Sequence, residues 1–310
     1  MNSDIKLMRD AFLERVYQEM LVDESIYFLT ADFGAFALDK MREDFPNRIF
    51  HMGICEQNMV DFAAGLSLSG KRVFLYAMAP FLIARSYEQI KAVVSAMNLP
   101  MTFIGVGVGL GYDHATLTHF TPEDFAIARV IRGMNVYTPS DDLSAIATAE
   151  SILNSSPQLS YVRLERSLTD RLSLNIKNLP DWRIVHNNGS SLAVISSGYM
   201  THVVKKFSIS HPSYQFSILD ILKNYPIKQD LLTSLEIYDS LLIVEEQSIQ
   251  GGMAASFCEE LIKHTKSIKN IYTLALDRDI QIENGNREKL HEINNISYID
   301  LEEKIKGILS

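Results

Sequence analysis

Short apolar runs alternate with longer amphipathic segments along the first half of the chain. Apolar residues recur at helical spacing over residues 5–21 and 81–97, and Pro122 opens a further helical segment. The apolar runs between these segments predict buried strands at residues 25–30, 72–76, 101–108, 135–138 and 160–164. This alternation is typical of an α/β fold with a mostly parallel sheet.

The pattern loosens at residues 172–190, where Asn, Pro and Gly are frequent, and then resumes. Later strands are expected at residues 191–198, 214–219 and 241–245, and a helix is expected after Gly251 and Gly252. A chain of 310 residues is long enough for two domains. We therefore predict two three-layer α/β domains with mostly parallel sheets. The predicted domains are 1–175 and 191–310, and the predicted linker is 176–190.

Composition and charge restrict the classes of partner. The chain is 47% hydrophobic and 22% charged, as in soluble globular proteins. Its net charge of −9 argues against nucleic acid or an anionic membrane as the main partner, so an anionic substrate would need a local basic site. Cys55 and Cys258 show no metal-site spacing and fit a reducing cytoplasm, where we place the protein. No apolar signal core or membrane-spanning stretch is apparent.

One carboxylate is placed in apolar surroundings. Glu56 lies in the run 53–59, between the strand-like residues 48–52 and the helix-like residues 60–66. A carboxyl group fixed between a strand end and a helix start is positioned rather than solvated. Such burial raises a carboxyl pKa and costs stability unless the group has a partner. This cost favours a chemical role, with a structural carboxylate bonded to backbone donors as the alternative.

The run around Glu56 resembles the pattern G-I-x-E-Q-N-M of the transketolase family, in the domain that binds the pyrimidine of thiamine diphosphate. In that family the helix after the motif is Ala-rich and ends in Gly, as it does here at Gly70. The resemblance implies that Glu56 binds a ring nitrogen of the cofactor's aminopyrimidine and exchanges a proton with it.

Residues 81–90 resemble the family's F-x-x-x-R-A-[WY]-x-Q-I helix. The resemblance implies that Phe81 stacks on the aminopyrimidine, a sound pairing for two aromatic rings. Arg85, one helical turn later, is predicted to line the same site. The structural alternatives are a core phenylalanine and a surface arginine paired with Glu88.

Residues 118–124 resemble the family's T-H-x-x-x-E-D, which places His119 where transketolases keep a histidine facing the substrate. There it would polarise a carbonyl or move a proton. The preceding residues depart from the family, which has an acidic residue and a glycine where this chain has residues 115–117, Ala-Thr-Leu. Asp113 and His114 are the candidates to replace those polar contacts to substrate.

Two further segments extend the resemblance. Residues 161–166 resemble a strand ending in x-R-x-x-R, whose last arginine grips a sugar phosphate in the family. Arg166 is therefore the predicted phosphate ligand, since a guanidinium binds phosphate through two hydrogen bonds. Residues 244–252 resemble the V-E-E-H-x-x-x-G-G turn of the family's C-terminal domain, which serves mainly assembly, and no catalysis is assigned to it.

A required part of such an enzyme does not appear in the sequence. The family holds the cofactor's diphosphate through Mg²⁺, with a G-D-G run and a downstream asparagine, and no G-D-G occurs here. The resemblance is thus to the C-terminal subunit of a split transketolase. It implies that a separate diphosphate-binding subunit holds the magnesium, that this chain itself binds no metal, and that the two chains form an α₂β₂ assembly.

The resemblance implies transfer of a two-carbon ketol unit from a ketose, expected to be phosphorylated, to an aldose. The β subunits of 2-oxo-acid dehydrogenases and other thiamine-diphosphate decarboxylases are the rival class, and a catalytically silent assembly subunit is a further alternative. A nucleotide-binding dehydrogenase is disfavoured, because the glycines of residues 105–111 do not follow G-x-G-x-x-G.

Overall fold

The computed structural model of the protein describes residues 5–173, 180–189, 191–264 and 270–310. These residues form two β-sheets with helices packed on their faces. The strands are β1 Ile26–Thr30, β2 Ile49–His51, β3 Arg72–Met78, β4 Met101–Val106, β5 Asn135–Tyr137, β6 Ser160–Leu164, β7 Trp182–His186, β8 Leu192–Ser196, β9 Ser217–Ile221, β10 Lys223–Tyr225, β11 Ser240–Ser248 and β12 Asn270–Leu276. The helices are α1 Met8–Met20, α2 Phe36–Asp44, α3 Glu56–Leu68, α4 Tyr87–Gln89, α5 Asp124–Arg129, α6 Asp142–Asn154, α7 Tyr199–Ser210, α8 Gln229–Ser234, α9 Met253–His264, α10 Arg287–Ile293 and α11 Tyr298–Leu309.

Wider helical turns flank α4. Residues Pro80–Ala84 and Ile90–Ser95 form π-turns, in which each backbone bond spans one residue more than in an α-helix. The segment 81–97 is therefore helical, as the sequence predicts, but it is not a uniform α-helix. The extra residue of a π-turn changes which side chains face the sheet edge.

The first sheet has seven strands in the order β10-β5-β6-β4-β3-β1-β2. Every pairing among β1 to β6 is parallel, and only β10 runs antiparallel, against β5. Helices α1, α2 and α6 supply one apolar cluster on this sheet, while α3 and the π-turn segments supply another on the opposite face. Coverage of both faces explains why β4 and β6 are buried along their whole length.

The second sheet has five strands in the order β12-β11-β8-β9-β7. Its strands are parallel except for β7, which pairs antiparallel with β9 at the edge. Helices α7, α10 and α11 pack on one face. The predicted α/β fold with two mostly parallel sheets is confirmed.

Two strands depart from the predicted organisation. The segment 176–190, predicted as a linker, contains β7, whose side chains are largely half-buried and show no clear apolar run. Strand β10 lies beyond the linker in sequence, yet it adds to the first sheet by pairing with β5. One apolar cluster also includes side chains from both sheets, so the two halves pack continuously. The exact domain boundaries stay a prediction, and part of the linker lies outside the described residues.

Candidate active site

The predicted site residues follow the carboxyl ends of four parallel strands of the first sheet. Glu56 comes after β2, Arg85 after β3, His119 after β4 and Arg166 after β6. In open α/β sheets this edge is where ligands bind, because the loops that leave the strands converge there. The topology therefore brings together side chains that are far apart in sequence.

Glu56 is the first residue of α3 and is only 3% exposed. The chain turns into the helix through Gly53, whose φ of 71° suits a residue without a side chain. A helix N-terminus favours a negative charge, because its first backbone N–H groups have no partner within the helix. The sequence-based expectation of a positioned, buried carboxylate matches this placement.

Arg85 is the partner of that carboxylate. Its Nη1 donates to Glu56 Oε2 at 2.6 Å, and its guanidinium carbon stands 4.2 Å from the centre of the Phe81 ring. The alternative in which Arg85 pairs with Glu88 on the helix surface is therefore not what the structure shows. The Arg85 guanidinium therefore contacts both the Glu56 carboxylate and the Phe81 ring.

His119 stands against two aromatic rings. Its ring centre lies 5.2 Å from that of Phe81 in an edge-to-face arrangement and 5.6 Å from that of Tyr112. Nδ1 is 2.9 Å from the Thr118 hydroxyl oxygen, which leaves the other ring nitrogen available for a different partner. Phe81 and His119 are thus brought together, as a shared site requires.

Asp113 and His114 lie in a short 3₁₀ turn of residues Asp113–Ala115. Asp113 Oδ2 accepts from the backbone N–H of Arg287 at 3.2 Å, so this carboxylate contacts the second half of the chain. His114 is exposed, and its Nε2 lies 3.8 Å from Asp113 Oδ2. Their role in substrate binding stays a prediction.

Arg166 is exposed at the end of β6, with its guanidinium carbon 5.2 Å from the centre of the Tyr112 ring. Tyr112 itself is 8% exposed, and among the described residues its hydroxyl has no hydrogen-bond partner. Burial raises the pKa of Tyr112 to about 12, and the positive charges of Arg166 and Arg9 act in the opposite direction. The hydroxyl is therefore a proton donor beside two cations.

No motif in the sequence marks Arg9 or Tyr112 as a site residue. Arg9 lies in the first turn of α1, and its Nε donates to Asp10 Oδ1 at 2.8 Å. No local pattern distinguishes this arginine from others on a helix surface. Its position near Tyr112 follows from the packing of α1 on the first sheet, and its positive charge, like that of Arg166, acts on the Tyr112 hydroxyl.

The residues present suit an aminopyrimidine. A buried carboxylate can bind a ring nitrogen, and the aromatic face of Phe81 can stack on a heteroaromatic ring.

Within the described ranges, no group of three or more His, Cys, Asp or Glu side chains could hold a metal ion. The same ranges contain no helix long and apolar enough to cross a membrane.

A family match identifies the class of protein to which this fold and site belong, the thiamine-diphosphate-dependent enzymes of the transketolase type. The family model for the transketolase pyrimidine binding domain matches residues 6–171, more than half of the chain. The chain belongs to this family, which implies thiamine diphosphate as the cofactor.

Curated relatives extend the similarity beyond the matched domain. The chain is 26% identical over 273 residues to a subunit of the apulose-4-phosphate transketolase of Phocaeicola vulgatus, covering 85% of this chain and 86% of the relative. It is 25% identical to the corresponding subunit from Actinobacillus succinogenes, over 84% of this chain and 85% of the relative. It is also 28% identical to the 1-deoxy-D-xylulose-5-phosphate synthase of Escherichia coli O157:H7, over 86% of this chain but only 42% of that longer protein.

A solved structure described as a split gene transketolase, inactive beta4 tetramer, has the same fold. The two chains align with a TM-score of 0.83 over 98% of each, at 22% identity. The predicted resemblance to the C-terminal subunit of a split transketolase is confirmed.

Proposed function

We propose that this chain is the pyrimidine-binding subunit of a split transketolase, which transfers a two-carbon ketol unit from a phosphorylated ketose to an aldose. The observation that carries the proposal is the buried Glu56 carboxylate, joined through Arg85 to the Phe81 ring at the carboxyl edge of the sheet. When bound, thiamine diphosphate supplies the chemistry that breaks and remakes the carbon–carbon bond.

Each side chain of this group has a distinct proposed role. Glu56 holds a proton at the ring nitrogen of the aminopyrimidine, and Phe81 stacks on the ring face. Arg85 lines the pocket and keeps the carboxylate oriented before the cofactor enters. His119, held by Thr118 through Nδ1, uses its other ring nitrogen to polarise the substrate carbonyl or to move a proton.

The phosphate of the substrate is assigned to the part of the site that contains Arg166, Tyr112 and Arg9. Arg166 offers a forked donor, the buried Tyr112 hydroxyl offers another, and Arg9 adds positive charge. Two relatives are named as subunits of apulose-4-phosphate transketolases, which supports a phosphorylated sugar as the substrate class. Asp113 and His114 remain candidates for its hydroxyl groups.

A partner chain completes the enzyme in this proposal. The partner holds the diphosphate and Mg²⁺, and the two chains form an α₂β₂ assembly. The similar structure is described as an inactive β₄ tetramer, which supports a subunit that is inactive without its partner.

The proposal also assigns the domains and the compartment. Residues 1–175 are assigned to the pyrimidine domain and residues 191–310 to the C-terminal domain. Both cysteines are free thiols, in keeping with a cytoplasmic protein.

Reconstitution tests the proposal. The chain is mixed with a candidate partner that carries G-D-G and a downstream asparagine, and cofactor retention is measured with Mg²⁺ present. We expect neither chain alone, but both together, to retain cofactor and to turn over a ketose phosphate with an aldose acceptor. Tight cofactor binding by this chain alone would contradict the split arrangement. Decarboxylation of pyruvate without ketol transfer would favour the 2-oxo-acid class, and assembly without turnover would favour a silent subunit.

A further inference from the structure

We infer that Arg287 and Glu246, in the second half of the chain, are positioning residues for the part of the active site that is proposed to bind the substrate. The inference rests on the proposed function, since it concerns the phosphate and carbonyl contacts of that site. The element they hold is the site loop, defined as residues 107–119, which carries Tyr112 and His119.

Glu246 fixes the start of the site loop. Its Oε2 accepts from the backbone N–H of Leu110 at 2.9 Å, and Leu110 is fully buried. The neighbouring Gly109 has a φ of 59°, and an added Cβ there would lie 2.3 Å from Glu246 Oε2. The loop backbone therefore approaches the carboxylate more closely than a side chain would allow.

Arg287 joins this carboxylate to the strand that ends at the predicted phosphate ligand. Its Nε donates to Glu246 Oε1 at 2.7 Å, while its Nη1 lies 2.7 Å from Glu165 Oε2. The other oxygen of Glu165 accepts from the backbone N–H of Arg166 at 2.7 Å. One guanidinium thus connects the loop to Arg166 through two carboxylates.

A second contact reaches the far part of the loop. The backbone N–H of Arg287, at the first turn of α10, donates to Asp113 Oδ2 at 3.2 Å. The Arg287 side chain also stands 3.7 Å from the centre of the Tyr199 ring, which fixes its orientation. The backbone and side chain of the same residue therefore hold Asp113 and, through Glu246, Leu110.

The group is buried and strongly coupled. Glu246 is 3% exposed, Glu165 is 2% exposed and Arg287 is 7% exposed. Burial raises the pKa of Glu246, but the Arg287 charge outweighs it and holds that pKa well below its ordinary value. Removing one member of a buried ion pair leaves the other charge uncompensated, so these side chains are held in one arrangement.

Another ion pair across the same two halves provides a control. Arg129 Nη1 donates to Glu259 Oε2 at 2.8 Å and its Nε donates to the Gly251 carbonyl at 2.9 Å, and neither bond involves the site loop. Loss of this pair reports on packing between the halves alone.

The test compares Arg287→Lys with Arg129→Met. Lysine keeps the charge but cannot span both carboxylates with a rigid fork. In the chain alone, we expect Arg287→Lys to speed amide hydrogen exchange in residues 107–119, whereas Arg129→Met leaves that segment protected. In the reconstituted enzyme we expect Arg287→Lys to raise KM for the ketose phosphate on the order of tenfold, with a smaller change in kcat and in cofactor affinity.

The exchange experiment decides the inference even if the enzyme proves not to transfer ketol units. Wild-type protection of residues 107–119 in Arg287→Lys would overturn it, as would equal loosening of that segment in Arg129→Met. An unchanged KM for the ketose phosphate in Arg287→Lys, with the loop loosened, would also overturn it, because the substrate contacts would then not depend on how the loop is held. Failure of every ketose to react, with the loop selectively loosened, would overturn the proposed function and leave the positioning role supported.

Discussion

Arg85 Nη1 lies 2.6 Å from Glu56 Oε2, although the two residues are 29 positions apart and belong to different helical segments. The pair combines a carboxylate side chain that is almost fully buried with an arginine side chain that remains 39% exposed. Arg85 therefore stabilises a charge that the fold would otherwise bury alone, at the position where the pyrimidine is proposed to bind.

This pairing predicts a measurable coupling between the two residues. In the chain without cofactor, Arg85→Met should lower the free energy of unfolding by about 1–2 kcal/mol, because it leaves a buried carboxylate without a partner. The loss should be much smaller in the background of Glu56→Gln. Denaturant unfolding of the two single variants and the double variant measures the coupling, and strictly additive effects would contradict it.

The Phe81 ring should contribute to cofactor affinity through its aromatic face. An aromatic contact is worth about 0.5–1.5 kcal/mol beyond the buried area, so Phe81→Leu should weaken binding of thiamine diphosphate to the assembled enzyme about 2- to 13-fold. Titration calorimetry measures the change. Phe216→Leu makes the same substitution in the core of the second half and should leave the affinity unchanged; a similar loss in both variants would argue against stacking.

Arg166 should distinguish phosphorylated from unphosphorylated substrates. A charged hydrogen bond to phosphate is worth about 1.5–3 kcal/mol, so Arg166→Met should raise KM for a ketose phosphate about 13- to 160-fold. The matching unphosphorylated ketose should be affected little. Steady-state kinetics on the two donors supplies the comparison, and an equal loss for both would remove the phosphate assignment.

The raised pKa of the buried Glu245 predicts that the free energy of unfolding depends on pH. Its two oxygens accept from the backbone N–H groups of Met253 and Ala254, but burial dominates and raises its pKa to about 7. Because the folded chain binds this proton more tightly than the unfolded chain, the stabilisation is present below pH 4.5 and is lost as the pH rises through 7.

The free energy of unfolding of the wild type, minus that of Glu245→Gln, should therefore fall by about 2–3 kcal/mol between pH 5 and pH 8. Denaturant titrations across this range measure the difference. Glu303→Gln, on the exposed side of α11, is the control for removing one carboxylate. A difference that rises with pH would show that the sign of the pKa shift is wrong.

The sequence predicts the elements that carry the site because their signals are local. The helix that begins at Glu56, the helical stretch with Phe81 and the strand before Arg166 each follow from a short pattern of apolar residues and motif positions. The sequence does not predict the edge strand β7, which lies in the predicted linker. Its side chains are largely half-buried and show no clear apolar run.

The interactions between distant segments could not be predicted. Arg85, which pairs with Glu56, directly follows the π-turn of residues 80–84, and the apolar pattern does not predict the extra residue of such a turn. The V-E-E motif, which contains Glu245 and Glu246, predicts only a role in assembly. Charged residues in a buried strand such as β11 nevertheless indicate that they have buried partners. Their partners come from residues far along the chain, and only the packing of the two halves brings them together.

The role of Glu56 at the cofactor is tested most directly by the turnover of Glu56→Gln in the reconstituted enzyme. Glutamine keeps the size and hydrogen-bonding shape of the side chain but has no ionisable proton. We predict a loss of ketol transfer of about 100-fold or more at saturating cofactor, the usual contribution of an acid–base group. Turnover at the wild-type rate, with the assembly intact, would contradict the account.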